Sequence, residues 1–240
     1  MSWTKCYGAV LPYVFAIDTP DGSGSGVFFA YNNAKTLTAV ATAAHVVAHA
    51  DSWKQPIKLR HYASGTEVFL PENERVIFLD ANRDSATIVF MSGKFPLPQE
   101  VLFASPPDVF LSIGGEVAWV GFPGLAAPNL CFFSGCVSAW VSSSDSYLID
   151  GVAINGVSGG PVFTKGDDDS PQMIGTVSSY ISNRVQGQSL PGLLRAQDLT
   201  AQHQAVATLA NLVEAKEQAE TSKQGTPPTP PPVAGDPPAE

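Results

Sequence analysis

Residues 156–161 read Gly-Val-Ser-Gly-Gly-Pro, a composition that suits a reactive serine better than a packed core. Gly156 and Gly159 allow backbone dihedrals that a side chain would forbid, so amide N–H groups can converge beside the hydroxyl of Ser158. A nucleophilic hydroxyl next to donors that can hold an oxyanion is what acyl transfer requires. The segment therefore predicts an acyl-transfer site at Ser158.

A serine hydroxyl needs a base and an orienting acid, and candidates for both lie upstream. His45 stands at the end of an apolar run, and Asp84 begins the strand-like run 84–89. Asp80, four residues earlier than Asp84, is a rival for the acid. The candidate residues thus occur in the order histidine, aspartate, serine.

Taken together, the segments 42–47, 83–89 and 156–161 resemble the trypsin/chymotrypsin superfamily of serine endopeptidases. The resemblance extends from about Val14 to Tyr180. The runs Gly-Ser-Gly-Val at 24–27 and Gly-Phe-Pro-Gly at 121–124 are similar to its cysteine-poor HtrA-like or bacterial-like branch. Asp84 is preferred over Asp80 because Asp-Ser-Ala-Thr-Ile-Val resembles the superfamily's Asp-x-Ala-x-hydrophobic pattern.

The resemblance implies a serine endopeptidase that works through an acyl-enzyme and needs neither cofactor nor metal. Ser158 would attack the scissile carbonyl, His45 would carry the proton, and Asp84 would fix the imidazole tautomer. By the same match, the backbone N–H groups of Gly156 and Ser158 would form the oxyanion hole. Val157 stands where zymogen-type relatives carry an activating aspartate, so trypsin-style activation is not expected, while latency through a misfolded oxyanion loop stays open.

The resemblance also implies where substrate binds. Val152, six residues before the serine, would lie at the base of the specificity pocket, and its lack of a carboxylate favours a small or medium apolar substrate side chain over Arg or Lys. The strand formed by Val177, Ser178, Ser179 and Tyr180 would hydrogen-bond the substrate backbone as an added strand. Ser178 would support the acid and Tyr180 would narrow the pocket. The alternative for this segment is an ordinary core strand.

Short runs rich in Val, Ile, Phe and Thr, cut by Gly, Pro, Asn and Asp, predict an all-β protein. We expect two six-stranded antiparallel β-barrels in a protease domain 1–197, with the boundary near 95–112, as the resemblance implies. The strands are predicted at Tyr13–Ile17, Gly26–Tyr31, Thr36–Val40, Ile57–His61, Glu67–Leu70, Arg75–Leu79, Ala86–Phe90, Glu116–Gly121, Asn129–Val141, Tyr147–Ile149, Gly160–Thr164 and Gln172–Ile181. The glycine-rich run 22–26 is interpreted as a flexible hairpin between the first two strands.

A C-terminal helix is predicted over 198–224, capped by Asp198 and beginning at Leu199. Its apolar stripe has a polar gap at Gln202 and His203, and it either packs on the second barrel or binds a partner. The proline-rich tail 225–240 should be disordered or extended. It is either a linker or a partner-binding segment, and no PDZ-like domain follows it.

The net charge of −9 argues against nucleic acid or an anionic membrane as a partner. The resemblance implies a protein or peptide substrate. The segment 8–17 is interpreted as part of the first strand rather than as a signal peptide. Secreted relatives carry cysteines where this chain has Val46 and Ile154. Cys6, Cys131 and Cys136 are therefore expected to be small buried hydrophobic residues in an intracellular, cytoplasmic protein.

Four other interpretations are weaker. The Gly-x-Ser-x-Gly pattern also fits α/β-hydrolases, but that fold needs a helix directly after Ser158. His45 and His49 have metal-ligand spacing without a third ligand, and the aspartates at 167–169 suit a solvated hairpin tip better than a calcium loop. A protease-like binding module without activity would bind equally well after Ser158→Ala.

Overall fold

A computed structural model describes residues 3–166, 170–185 and 188–224, with side chains described for 3–166, 170–182 and 192–213. The aspartate run 167–169 and the tail 225–240, about which the sequence made predictions, lie outside the described residues. No helix in the described ranges is long and apolar enough to cross a membrane.

The first half of the chain folds into a curled seven-stranded antiparallel sheet. Its order is β5-β4-β1-β2-β3-β7-β6, and its two edges are not paired with each other by any described strand. The strands are β1 (Val14–Thr19), β2 (Gly22–Tyr31), β3 (Leu37–Ala43), β4 (Ile57–His61), β5 (Glu67–Leu70), β6 (Arg75–Asp80) and β7 (Ser85–Met91).

The second half forms a closed barrel. Six strands follow one another in the order β12-β9-β10-β11-β14-β13, and pairing of β12 with β13 closes the ring. The strands are β8 (Phe103–Ala104), β9 (Glu116–Gly121), β10 (Cys131–Val141), β11 (Ser146–Asp150), β12 (Pro161–Lys165), β13 (Pro171–Val185) and β14 (Gln188–Gln197). Strand β8 adds to β13 in parallel, outside the ring.

The predicted all-β class with a C-terminal helix is confirmed, with two differences in detail. The first sheet has seven strands and is curled rather than closed. In the second half, β8 and β14 were not predicted. Strand β8 has only two residues, and β14 contains a Pro-Gly pair at 191–192 that is typical of a turn.

Within the described residues, three α-helices accompany the sheets: α1 (Trp3–Val10), α2 (Ala44–Ser52) and α3 (Thr200–Gln224). The expectation of a strand over residues 8–10 is wrong, because α1 buries Cys6 and Val10, which are spaced one helical turn apart, between the two halves. Helix α3 begins at Thr200, one residue later than predicted, and the Asp198 carboxylate accepts hydrogen bonds from the N–H (3.2 Å) and Oγ1 (2.7 Å) of Thr200.

The two polar residues of the gap predicted in α3 lie against the protein. Gln202 is fully buried, and His203 Nε2 lies 2.9 Å from the carbonyl oxygen of Ser105. Leu199 is buried, while Leu212 of the predicted stripe is 60% exposed. The first turns of α3 therefore pack against the protein more closely than its later ones.

The glycine-rich run 22–26 is a strand and not a flexible hairpin. Its residues pair in register with β1, from Gly22 opposite Thr19 to Gly26 opposite Phe15, and the turn lies at 20–21. Because β2 starts early, it carries Ser25 into the interface between the two halves, against the loop that holds Ser158.

Candidate active site

Helix α2 places His45 at its first turn, facing the Asp84 carboxylate. Ala43 ends β3 with extended backbone, and no side chain of its own caps the helix. Asp84 supplies the cap instead: its carbonyl oxygen accepts from Ala44 N (3.0 Å) and its Oδ1 from His45 N (3.0 Å). A carboxylate at a helix N-terminus satisfies free N–H groups and interacts favourably with the helix dipole.

The same carboxylate binds the imidazole ring. His45 Nδ1 lies 2.9 Å from Asp84 Oδ2 and 3.0 Å from Oδ1, and Ser178 Oγ donates to Oδ2 at 2.6 Å. Asp84 takes a left-handed backbone conformation with φ of 48°, which aspartate tolerates better than most residues. With Nδ1 on the acid, the other ring nitrogen of His45 faces away from it, and the ring is half exposed.

The two groups shift each other's pKa. The hydrogen bond that His45 donates to Asp84 raises the pKa of His45 above its ordinary value, although partial burial opposes this. Burial by itself would raise the pKa of Asp84, but hydrogen bonds from His45 and Ser178 outweigh it, so the pKa of the carboxyl is lowered. The acid therefore stays ionised while the imidazole is held as a stronger base.

Ser158 lies in the loop between β11 and β12, in the same cavity as His45. Its hydroxyl donates to the carbonyl oxygen of Ser178 at 3.3 Å. Within the described residues it makes no hydrogen bond to His45. The structure thus brings together the predicted acid, base and nucleophile, with the hydroxyl turned toward β13.

The loop around Ser158 presents two free N–H groups. Neither Gly156 N nor Ser158 N donates to any group in the part of the chain that the structure describes. The Asn155 carbonyl accepts from Gly124 N (2.8 Å), and the Val157 carbonyl from Gly160 N (2.9 Å). The C=O and N–H of a trans peptide point in opposite directions. These two bonds therefore direct the N–H groups of Gly156 and Ser158 away from Gly124 and Gly160, which bind the carbonyls.

Only glycine fits two positions of this loop. Gly156 has φ of 95° and Gly159 has φ of 83°. A Cβ on Gly156 would collide with the carbonyl oxygen of Phe122, and one on Gly159 with the backbone of Ser25. Positive φ and close backbone approach together explain why glycine flanks the serine.

Strand β13 offers a free edge beside the serine. Its pairing with β12 ends at Thr176, whereas its pairing with β14 continues to Val185. The backbone of Val177 is already engaged, since its N–H donates to Gly160 O (2.9 Å) and its carbonyl accepts from Gly159 N (2.6 Å). No described strand pairs with β13 on this side beyond Thr176, so an added strand could begin to pair with it at Ser178.

The family follows from comparison with known proteins. Residues 24–169, more than half of the chain, match the family model of the trypsin-like peptidase domain. The chain belongs to the trypsin-like peptidase family. No curated protein matches the sequence at a significant level.

Two solved structures share this fold of the trypsin-like peptidases. One is Rv3671c from M. tuberculosis H37Rv, a serine-to-alanine mutant in its inactive form, at 18% identity and a TM-score of 0.56, covering 85% of this chain and 89% of that one. The other is the serine endoprotease from Yersinia pestis, at 16% identity and a TM-score of 0.63, covering 88% of this chain and 67% of that one. At such identities the likeness concerns the fold alone.

The cavity of this trypsin-like peptidase domain has a volume of about 390 Å³ and departs from the sequence prediction at one residue. Val152 does not line it, and its side chain is 57% exposed. The lining residues are His45, Ala153, Ile154, Asn155, Ser158, Val177, Ser178, Ser179 and Tyr180. The loop therefore brings Ala153 to Asn155 to the wall, and these three residues were missed because their position depends on the path of the loop.

The structure also bears on the competing interpretations. Strand β12 and not a helix follows Ser158, which excludes the α/β-hydrolase elbow. The ring of His49 lies beside Trp53, with centroids 6.1 Å apart. All three cysteines are free, but only Cys6 is buried and Cys136 is exposed, so the expectation of three buried cysteines is wrong.

Proposed function

We propose that this trypsin-like peptidase is a serine endopeptidase that hydrolyses peptide bonds through an acyl-enzyme. The observation that carries the proposal is the meeting, in one cavity, of Ser158, the Asp84-bound His45 and a loop with two unengaged N–H groups. A nucleophile, an oriented base and oxyanion donors are the groups that acyl transfer needs.

Substrate binding prepares the nucleophile. An extended peptide adding to the free edge of β13 would donate an N–H to the Ser178 carbonyl, which now accepts from Ser158 Oγ. The serine hydroxyl then loses its partner and turns about χ1 toward the free ring nitrogen of His45. Catalytic hydrogen bonds that tighten only with substrate bound are usual in such sites.

The reaction then follows from the geometry. His45 takes the proton as Ser158 Oγ attacks the carbonyl carbon, and Asp84 stabilises the imidazolium that forms. The N–H groups of Gly156 and Ser158 would bind the oxyanion, each donor being worth about 3–4 kcal/mol of barrier. His45 returns the proton to the leaving amine, and water releases the acyl group by the same steps in reverse order.

The lining of the cavity favours a small or medium apolar side chain at the residue preceding the scissile bond. Ala153, Ile154 and Val177 give apolar walls, and no carboxylate is among the lining residues. Tyr180, 39% exposed, stands at the cavity and limits its size. Without a buried negative charge, an Arg or Lys side chain would lose hydration without gaining a partner.

The second candidate is a protease-like binding module without activity, favoured by the present bond of Ser158 to Ser178 instead of His45. Incubation with a mixed peptide library, followed by mass spectrometry, separates the two. A peptidase yields new termini after small apolar residues with the wild-type protein and none with Ser158→Ala. Peptide binding without new termini would favour the binding module.

A further inference from the structure

Ser25 is a fully buried serine of β2 whose hydroxyl joins two loops of the other half of the molecule. Its Oγ donates to the carbonyl oxygen of Gly156 at 2.8 Å and accepts from Phe122 N at 2.9 Å. Both partners lie about a hundred or more positions away in the chain, across the interface between the two halves. The hydroxyl both donates and accepts, as a buried polar group is expected to do, and its two bonds link strand β2 to two separate loops.

The backbone of Ser25 adds two more bonds. Its N–H donates to the carbonyl oxygen of Ser158 at 2.8 Å, and its carbonyl accepts from Thr42 Oγ1 at 2.7 Å. Ser25 thus fixes the carbonyl groups of Gly156 and Ser158, the two residues on either side of Val157. The N–H groups of the same two residues belong to the peptide units directly before these carbonyls and make no hydrogen bond within the described residues.

The surroundings of Ser25 are closely packed. A Cβ on Gly121 would lie 2.8 Å from Ser25 Oγ, and a Cβ on Gly159 would collide with Ser25 O. Removing the hydroxyl would leave the Gly156 carbonyl and the Phe122 N–H buried without partners, because the space freed is too small for a water molecule. The loop would then relieve the loss by moving.

We propose that Ser25 is a positioning residue, which holds the loop around Gly156 so that its N–H groups meet the developing oxyanion. The inference rests on the proposed function, because an oxyanion exists only if Ser158 attacks a carbonyl. It adds that the geometry of the oxyanion site is set from the other half of the molecule. Activity then requires that β2 packs correctly against the loop that holds Ser158.

The test compares Ser25→Ala with Ser105→Ala, which removes another buried serine hydroxyl that bonds a side chain far from the cavity. Since loss of one oxyanion donor costs about 100–1,000-fold in kcat, a displaced loop is expected to lower kcat by about 10–100-fold while KM stays within about twofold. Ser105→Ala should keep kcat and KM near wild type. A kcat of Ser25→Ala within twofold of wild type, or a loss confined to KM, would overturn the proposal.

Amide hydrogen exchange gives a readout that does not depend on activity. Peptides covering 152–160 should exchange faster in Ser25→Ala than in wild type and in Ser105→Ala. If the wild type cleaves no peptide, the proposed function fails, yet exchange still decides whether Ser25 holds the loop around Gly156. Unchanged exchange over 152–160 would overturn it.

A second variant keeps the proposal testable if Ser25→Ala does not fold. Ser25→Cys keeps a small side chain, but its thiol forms weaker and longer hydrogen bonds than a hydroxyl. It is expected to lower kcat about tenfold. A wild-type kcat and wild-type exchange in this variant would contradict the need for the hydroxyl.

Discussion

Arg83 and Asp145 form an ion pair that joins the two halves of the molecule next to the candidate acid. Nε and Nη2 of Arg83 donate to the same Oδ2 of Asp145 at 3.0 and 2.7 Å, while Nη1 donates to Asp80 Oδ2 at 3.0 Å. These hydrogen bonds, above all those donated to Asp145, raise the pKa of the Arg83 guanidinium. Because Arg83 immediately precedes Asp84, the ion pair helps to place the turn from which the acid reaches His45.

The ion pair should contribute to both stability and activity. Its side chains are 30% and 32% exposed, so solvent screening limits its worth to about 1 kcal/mol. We expect a double-mutant cycle of Arg83→Ala and Asp145→Asn, followed by urea unfolding, to give a coupling free energy of about this size. The kcat of Arg83→Ala should fall several-fold, and Arg83→Lys should restore only part because lysine lacks the planar fork. Strictly additive effects on unfolding, together with an unchanged kcat, would show that the ion pair does not position Asp84.

The Asp84–His45 pair predicts the pH dependence of activity. The base must be neutral, and Asp84 raises the pKa of His45 above 6.5, so the acidic limb of kcat/KM should have its midpoint above 6.5. Asp84→Asn removes the charge, so the midpoint should move down and kcat should fall by about 10,000-fold. A pH–rate profile of both proteins measures this. If the acidic limb of the wild type had its midpoint below 6.5, or if Asp84→Asn did not move that midpoint, another group would control the rate.

The protonated imidazole also bears on stability. Since the folded-state pKa of His45 is raised, the Asp84 interaction stabilises the folded state fully below the unfolded pKa, and the gain is lost as pH rises through the folded value. The free energy of unfolding of wild type relative to His45→Gln should therefore decline across that window. Urea titrations at several pH values measure the difference. A difference that grows with rising pH would contradict the assignment.

The lining of the cavity predicts which substitution changes specificity. Ala153→Asp places a carboxylate in the cavity wall and should shift cleavage toward Lys and Arg at the residue before the scissile bond. Val152→Asp is the matched control, because Val152 points to solvent and should leave the preference unchanged. Profiling both variants with the same peptide library measures which residue each prefers before the scissile bond. If Val152→Asp cleaved after Lys and Arg and Ala153→Asp did not, Val152 would lie at the bottom of the specificity pocket, as the sequence alone implied.

Much of the framework was predictable because local patterns dictate it. Strands such as Ile57–His61, Glu67–Leu70 and Glu116–Gly121 have the predicted bounds, since apolar runs between turn residues define them. The residues His45, Asp84 and Ser158 stood out because each lies in a short segment of unusual composition. These signals are local in the sequence, so they can be recognised without knowledge of the fold.

What was missed depends on contacts between distant segments. Helix α2 is short and follows a strand of similar composition, and its N-terminus is capped by Asp84, 39 positions away from His45. Ser25 is part of a glycine-rich run that looks flexible, yet pairing with β1 straightens it into a strand. The exposure of Val152 likewise follows from the course of a loop that no periodicity describes.

The most direct test is labelling of the purified protein with a fluorophosphonate probe, with the modified residue mapped by mass spectrometry. A serine activated by His45 should be labelled at Ser158 in wild type and in Ser105→Ala, and labelling should be absent from Ser158→Ala and reduced at least 100-fold in His45→Ala. No labelling of the wild type, or equal labelling of wild type and His45→Ala, would contradict a His45-activated Ser158.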